Sequence, residues 1–285
     1  MPQTQQLSIK QALSLAKKAT QKGNVDVALQ LYNAVLQNQP SNPVAKKGLR
    51  KLQKGLPHNQ SVQIQTTPSQ GQVNALINLY NSNQMRNAEQ ACKKLLQTCP
   101  KSLAVYNVLG AALKGQGRLQ EAVQAFDKAI QLKPDYVEAH NNRGVVLRDL
   151  GQLEEAVSCY NKAIQLKPDY AEAYSNRGNA LVGLGQLEEA VISYEKAIQL
   201  KPDYAEAHHN LSLLKNYESN DAQIGVMESL FANLECREPD RMYLCFALAK
   251  AYEDLGEYDK SFNYLKEGNY IRKNGLNYNI RPREK

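Results

Sequence analysis

Apolar residues recur along this chain with the spacing of amphipathic helices. In residues 171–184 one stripe of a helix is apolar or small, and the opposite stripe is mostly polar. The pattern predicts a first helix from Ala171 to about Leu184 and a second from about Leu187 to Leu200. The packed stripe of the first helix is predicted to be Ala173, Gly178, Ala180, Leu181 and Leu184.

The predicted helix pair is one copy of a 34-residue repeat. The string Gln-Leu-Lys-Pro-Asp-Tyr ends at Tyr136, Tyr170 and Tyr204, and residues 137–170 and 171–204 are identical at 24 of 34 positions. One hairpin cannot bury its apolar face alone, so the units must stack. Small residues are expected where the two helices approach closely: Gly110/Ala122, Gly144/Ala156 and Gly178/Ala190, with Phe126, Tyr160 and Tyr194 filling the space beyond.

Turn and cap signals flank the predicted helices. Asp169 precedes the first helix and Glu172 follows three residues later, a spacing that predicts a capping box. Asp135/Glu138 and Asp203/Glu206 repeat it, so these glutamates are assigned to capping. Gly185 is predicted to break the chain between the two helices, and Pro202 to end the second.

These residues resemble the tetratricopeptide repeat. That pattern has an aromatic residue, a glycine, a second bulky residue, an alanine, an aromatic residue and a proline. The matching residues of one unit are Tyr174, Gly178, Leu181, Ala190, Tyr194 and Pro202. The resemblance implies an all-α fold, a right-handed α-solenoid of stacked antiparallel helix pairs. Arg143 and Arg177 stand where leucine is usual, and their aliphatic stems are expected to lie along the hairpin.

The repeat phase also predicts the domain organisation. Residues 1–54 are a degenerate hairpin plus a short basic helix of about Val44 to Lys54, residues 55–70 are a polar linker, and 276–285 are a tail. Residues 71–275 form the solenoid. Its units are 69–102, 103–136, 137–170, 171–204, a degenerate hairpin at 205–241 with Ile224 at the small position, and 242–275.

The predicted binding site is the concave face of the solenoid, lined by the first helices. Asparagine recurs there at Asn142, Asn176 and Asn210, and an amide can both donate to and accept from a peptide backbone. The series resembles the asparagine ladder in the repeats of O-linked N-acetylglucosamine transferase. Alternatively, each asparagine bonds to the neighbouring repeat. The full predicted groove is Asn74, Asn141, Asn142, Arg148, Ser175, Asn176, Asn179 and Asn210.

The remaining sequence features argue against catalysis. There is no P-loop, no G-x-S-x-G and no H-E-x-x-H, and the five cysteines form no CxxC pair. We therefore expect no catalytic residue, no metal and no cofactor. His140 and His208 occupy the aromatic position of their repeats, which favours a packing role.

Charge is concentrated at one end of the chain. The net charge is +7; residues 1–56 hold nine Lys/Arg and one acid, which leaves 26 bases and 27 acids elsewhere. Because no aromatic pattern accompanies the basic residues, they are expected to solubilise the chain rather than to bind nucleic acid. No apolar run could span a bilayer and the start is polar, so the expected compartment is the cytoplasm.

Two hypotheses for the function follow. The first is a non-catalytic scaffold that binds a protein or an extended peptide. The second rests on residues 222–280, in which Leu244 to Lys260 and Glu267-Gly268-Asn269 resemble the last repeat of bacterial tetratricopeptide-repeat sulfotransferases. That resemblance implies a substrate-presenting region whose catalytic domain, with a P-loop-like donor site, is absent from this chain.

Overall fold

The chain is α-helical throughout the part that the computed structural model describes, residues 8–21, 24–55, 67–233 and 235–275, which contain fifteen helices and no strand. It divides into two compact units, residues 1–64 and 65–285. Most of the predicted linker, residues 56–66, and the predicted tail, 276–285, lie outside the described residues. Of the other linker positions, Gly55 ends one helix and Gln70 begins the next.

The N-terminal unit is a three-helix cluster. Its helices are α1 (Ile9–Gln21), α2 (Val25–Asn38) and α3 (Pro43–Gly55), and α3 contains the predicted basic helix. Tyr32 of α2 is buried in the apolar core of this unit. A Cβ atom at Gly48 would lie 2.3 Å from Cζ of Tyr32, so only glycine leaves room for this ring.

The second unit is a series of helix pairs. The helices of the regular repeats agree with the predicted bounds, because Gly and Pro residues end the helices at fixed intervals along the chain. In order they are α4 (Gln70–Asn81), α5 (Met85–Thr98), α6 (Leu103–Gly115), α7 (Leu119–Leu132), α8 (Val137–Asp149), α9 (Leu153–Leu166), α10 (Ala171–Gly183), α11 (Leu187–Leu200), α12 (Ala205–Ser212), α13 (Ala222–Ala232), α14 (Glu238–Asp254) and α15 (Tyr258–Gly275).

The predicted capping boxes of the regular repeats are wrong. The N-cap residue of α10 is Tyr170, not Asp169, and it makes no side-chain cap hydrogen bond; α8 and α12 begin in the same way. The aspartate lies one residue too early, inside the turn that follows the proline. Glu172 and its equivalents remain in the first helical turn, where a negative charge is favourable next to the helix dipole. A true capping box occurs instead at Ser69 and Gln72 of α4.

In the three regular repeats, the aromatic residue of the second helix lies against the glycine of the first helix. A Cβ atom at Gly178 would stand 2.5 Å from Cε1 of Tyr194, and one at Gly144 would stand 2.7 Å from Cε1 of Tyr160. Both rings are fully buried. The glycine is therefore needed to seat the ring.

Arg143 and Arg177 connect consecutive repeats. Nε of Arg143 donates to Asp127 of the preceding second helix (2.7 Å), and Nη1 donates to Cys159 of its own repeat (3.0 Å). In Arg177 the two donors are exchanged: Nη1 donates to Asn161 of the preceding second helix, and Nε donates to Ser193 of its own repeat. The guanidinium groups thus bridge two second helices, which explains how these repeats accept arginine where leucine is usual.

The unit predicted as a hairpin over 205–241 is not a regular pair. α12 ends after eight residues, and α13 packs against α14. Tyr217 is buried after α12, and its backbone N–H donates to Asp254 at the end of α14 (3.1 Å). Ile224, predicted at a close helix contact, instead joins the apolar core around α14.

Candidate peptide-binding face

One stripe of each first helix faces away from the packed side of the repeat. In α10 the predicted packing residues Ala173, Gly178, Ala180 and Leu181 are buried, whereas Val182 on the other stripe is exposed. Helical periodicity places the corresponding positions of α6, α8 and α12 on the same side. We define the first-helix face by Asn107, Lys114, Asn142, Arg148, Asn176, Asn179, Val182, Asn210 and Leu213.

The asparagines of this face form hydrogen bonds between repeats. Nδ2 of Asn142 donates to Oδ1 of Asn107 (2.9 Å), and Nδ2 of Asn176 donates to Oδ1 of Asn141 (3.1 Å). The alternative that each asparagine bonds to its neighbour is therefore realised. Each such bond uses one amide N–H, and an amide has a second N–H and two oxygen lone pairs. The oxygens of Asn176 and Asn210 accept no hydrogen bond from the described residues.

The inter-repeat hydrogen bonds donated by Asn142, Asn176 and Asn210 form a series that we call the amide ladder, and each bond is one rung. The third rung has a different kind of acceptor. Asn210 Nδ2 donates to Oδ1 of Asn179 (2.9 Å), which lies one helical turn after Ser175. Serine stands at 175 where the two preceding repeats have Asn107 and Asn141, and its side chain is too short to reach across. Asn179 therefore takes over the role of acceptor.

Asn179 also satisfies a buried phenol. The hydroxyl of Tyr194 donates to Asn179 Oδ1 (2.7 Å). In the preceding repeat Val145 replaces this asparagine, and no described residue is within hydrogen-bonding distance of the Tyr160 hydroxyl. The sequence analysis places Asn179 in the predicted groove. Its connection to the tyrosine was missed, although the difference is visible in the alignment of the repeats.

Three of the predicted groove residues lie elsewhere. Asn141 and Ser175 are only 5% and 1% exposed, so the prediction that they line an open groove is wrong: the neighbouring first helix covers this position. Asn74 is exposed on α4, but it accepts a hydrogen bond from Gln70 of the same helix (2.9 Å). The ladder described here thus joins α6, α8, α10 and α12.

A basic cluster lies at the carboxyl ends of α6 and α8. Lys114 and Arg148 share the carboxylate of Asp149, at 3.3 Å and 3.2 Å. Two positive charges against one negative charge leave a net positive site on the first-helix face. Glu172 lies at the opposite end of its helix and is exposed. The face therefore has a basic edge and an acidic edge, a polarity that can orient a charged ligand.

Apolar side chains are exposed on the same face. Val182 of α10 is 38% exposed and Leu213, just after α12, is 59% exposed. These residues leave apolar surface next to the amide ladder. Together they offer a ligand both a polar and an apolar contact.

His208 and His140 have structural partners. Nε2–H of His208 donates to the carbonyl oxygen of Pro202 (2.9 Å), and Nδ1 accepts from Gln223 (3.1 Å), so the neutral ring uses both nitrogens. Burial lowers the pKa of His208. His140 makes the same contact with Pro134 (2.8 Å). Both rings hold the turn that precedes their helix.

No group of three or more potential metal ligands occurs in the described part of the chain. Nor does any helix described here have the length and apolar character to cross a membrane. The raised pKa of Cys92, about 12, follows first from burial and then from the charge of Glu89, and keeps this thiol protonated.

Comparison with protein families assigns the repeats. The model described as "TPR repeat" matches residues 110–151, 146–185 and 178–214, and the model described as "Tetratricopeptide repeat" matches 243–274. The chain contains tetratricopeptide repeats. The second match covers α14 and α15, which lie in the segment that resembles sulfotransferase repeats. The relation to sulfotransferases stays a prediction.

The tetratricopeptide repeats here are similar to several solved structures. MamA 41-end from Desulfovibrio magneticus RS-1 is 22% identical over 66% of this chain and 95% of that chain, with a TM-score of 0.47. A thermophilic TPR protein from Thermus thermophilus is 22% identical over 73% and 98%, with a TM-score of 0.44. The first TPR of Spaghetti (RPAP3), bound to an HSP90 peptide, is 31% identical over 39% and 89%, with a TM-score of 0.39. A comparison with curated proteins gave no match.

Proposed function

We propose that this chain is a non-catalytic scaffold that binds an extended peptide segment of another protein along the first-helix face. The observation that carries the proposal is the amide ladder. Its rungs hold Asn142, Asn176 and Asn210 in fixed orientations between repeats. An amide that is already oriented loses less conformational freedom when it binds a peptide group.

We propose that the first-helix face recognises its ligand mainly through hydrogen bonds to the peptide backbone. The unused lone pairs of Asn176 and Asn210 can accept backbone N–H groups, because the peptide backbone offers donors at regular intervals. Val182 and Leu213 can contact apolar side chains of the ligand. The cluster of Lys114 and Arg148 favours an acidic residue near the carboxyl ends of the first helices.

A pair of substitutions within one repeat tests the location of the site. Val182 and Ile192 are both exposed β-branched residues of the unit 171–204, but Val182 lies on the first-helix face and Ile192 on the second helix. Peptides are selected on the wild-type chain from a random library, and their affinities for each variant are measured by fluorescence anisotropy. Val182→Arg is expected to weaken binding by about ten-fold or more, and Ile192→Arg to leave it within about two-fold.

The same measurement contains the outcomes that overturn the proposal. Equal affinities of the two variants would move the binding site away from the first-helix face. Failure of the library to give any peptide that binds the wild-type chain above background would argue against extended-peptide recognition. Circular dichroism of both variants confirms that the helices are intact.

A further inference from the structure

The helix α15 carries an exposed apolar stripe. Tyr258, Phe262 and Leu265 lie one to two helical turns apart on one side of this helix, and they are 70%, 66% and 40% exposed. Leu265 occupies the position of Tyr160 and Tyr194 in the regular repeats, where the ring is at most 2% exposed. The stripe is therefore open at a position that is otherwise in the core.

The regular repeats indicate what such a stripe accommodates. In them the first helix of the next repeat packs against the second helix, as α10 packs against α9 and α12 against α11. A short turn connects each such pair, so the two helices are antiparallel. The exposed stripe of α15 can therefore pack against one more helix that runs antiparallel to α15.

The surface beside the stripe has the form of a groove. A cavity of about 380 Å³ lies between α14 and α15, next to Leu213. Phe246, Ala249 and Leu265 supply its apolar wall, and Lys250 and Arg272 lie at its edge. A helix seated on Leu265 would cover this groove as well as the stripe.

The charges of α15 favour a second copy of the same helix as the occupant. Asp259 lies in the first turn and Lys273 in the last turn, on the same flank of the stripe. In an antiparallel pair related by a two-fold axis near Leu265, Asp259 of each copy lies opposite Lys273 of the other. Neither residue forms an ion pair with another described residue. The surface is self-complementary, as an isologous interface requires.

We propose that this chain forms a two-fold symmetric dimer through antiparallel packing of α15 against α15 of a second copy. Phe262 and Leu265 form the apolar centre, and the two Asp259–Lys273 pairs fix the antiparallel direction. Leu213 lines the groove and also belongs to the first-helix face proposed to bind peptide, whereas the stripe of α15 lies outside that face.

Analytical ultracentrifugation of the full chain over a range of concentrations tests the dimer. The wild-type chain is expected to sediment with twice the mass of one chain, and Phe262→Asp with Leu265→Asp to raise the dissociation constant by about a hundred-fold or more. Val226→Asp is the control: Val226 is 41% exposed on α13, outside the proposed contact, so this variant should remain a dimer.

A charge exchange tests the antiparallel direction. Lys273→Glu alone should weaken the dimer by about five-fold, and adding Asp259→Lys should restore most of the affinity, because each copy then carries both reversed charges. No rescue by the double variant would contradict the proposed direction. A wild-type chain that stays monomeric at hundreds of micromolar would overturn the dimer. If deletion of residues 276–285 then produced a dimer, that segment would be the occupant of the stripe in place of a second copy.

Discussion

The ring of Tyr194 lies so close to Gly178 that a single added carbon would collide with it, at 2.5 Å from Cε1. The glycine is in the middle of α10, where it costs about 0.5–1 kcal/mol relative to alanine. That cost is offset because the backbone of α10 can approach the face of the ring. Gly110 with Phe126, and Gly144 with Tyr160, repeat the contact. Ring and glycine together set the distance between the two helices of a repeat.

Substitution of this glycine should therefore have the opposite effect to substitution of an unconstrained one. Gly178→Ala is expected to lower the free energy of unfolding by about 1–3 kcal/mol, because the buried ring must move. Gly225 also lies within a helix, but a Cβ atom there would meet nothing within 4 Å. Gly225→Ala should raise stability by up to about 1 kcal/mol. Chemical denaturation of both variants measures the change in the free energy of unfolding, which should be negative for Gly178→Ala and positive for Gly225→Ala. A neutral Gly178→Ala would mean that the contact is not tight.

The two phenols should differ when their hydroxyl groups are removed. The hydroxyl of Tyr194 donates to Asn179, so Tyr194→Phe should cost about 0.5–1.5 kcal/mol. The hydroxyl of Tyr160 is buried without a partner among the described residues, so Tyr160→Phe should be neutral or stabilising. Thermal unfolding of the two variants under the same conditions checks the difference. A larger loss for Tyr160→Phe than for Tyr194→Phe would contradict the assignment of Asn179.

The regular repeats were the most predictable part of the chain. The 34-residue period, the glycine turns and the proline stops predict α10 and α11 to within one residue. Because the pattern recurs, the helix bounds predicted for one repeat can be checked against those of the others. Where the period weakens, local patterns no longer suffice: α12 ends at Ser212 because Tyr217 is drawn into the core of α14, a contact between residues distant in sequence.

The sequence predicts which stripe of the first helices forms the candidate face, but not which asparagines form hydrogen bonds to each other. The recurrence of Asn142, Asn176 and Asn210 indicates a shared role. Whether an amide faces a ligand or the next repeat depends on the rotation between repeats, which a helical pattern alone does not give. The burial of Asn141 and Ser175 has the same origin.

Stability should fall below neutral pH partly through His208. Burial lowers the pKa of this ring from the ordinary value of 6.5. Below 6.5 the unfolded chain therefore binds more protons than the folded chain, so the contribution of His208 is present above that value and is lost as pH falls. As the pH falls from about 7.5 to about 5.5, this contribution of His208 should therefore decrease. His208→Gln should make the unfolding free energy less dependent on pH in this range. An unchanged pH dependence would show that His208 is not responsible.

The role of the ladder can be separated from its contribution to stability. The three hydrogen bonds of the ladder can be removed by replacing either their donors or their acceptors. Asn142→Ala, Asn176→Ala and Asn210→Ala remove the donors, whereas Asn107→Ala, Asn141→Ala and Asn179→Ala remove the acceptors and keep the three amides proposed to contact peptide. Each lost hydrogen bond should cost about 0.5–1.5 kcal/mol, and the acceptor variant also loses the bond from the Tyr194 hydroxyl to Asn179.

The affinity of one selected peptide for these two triple variants, measured beside their melting curves, tests the account most directly. If the amides bind the peptide backbone, the donor variant should lose about ten-fold or more in affinity, and the acceptor variant clearly less, although the acceptor variant is the less stable of the two. If both variants lose stability and bind the peptide as tightly as the wild-type chain, the asparagines serve the scaffold alone, and peptide binding by this ladder is contradicted.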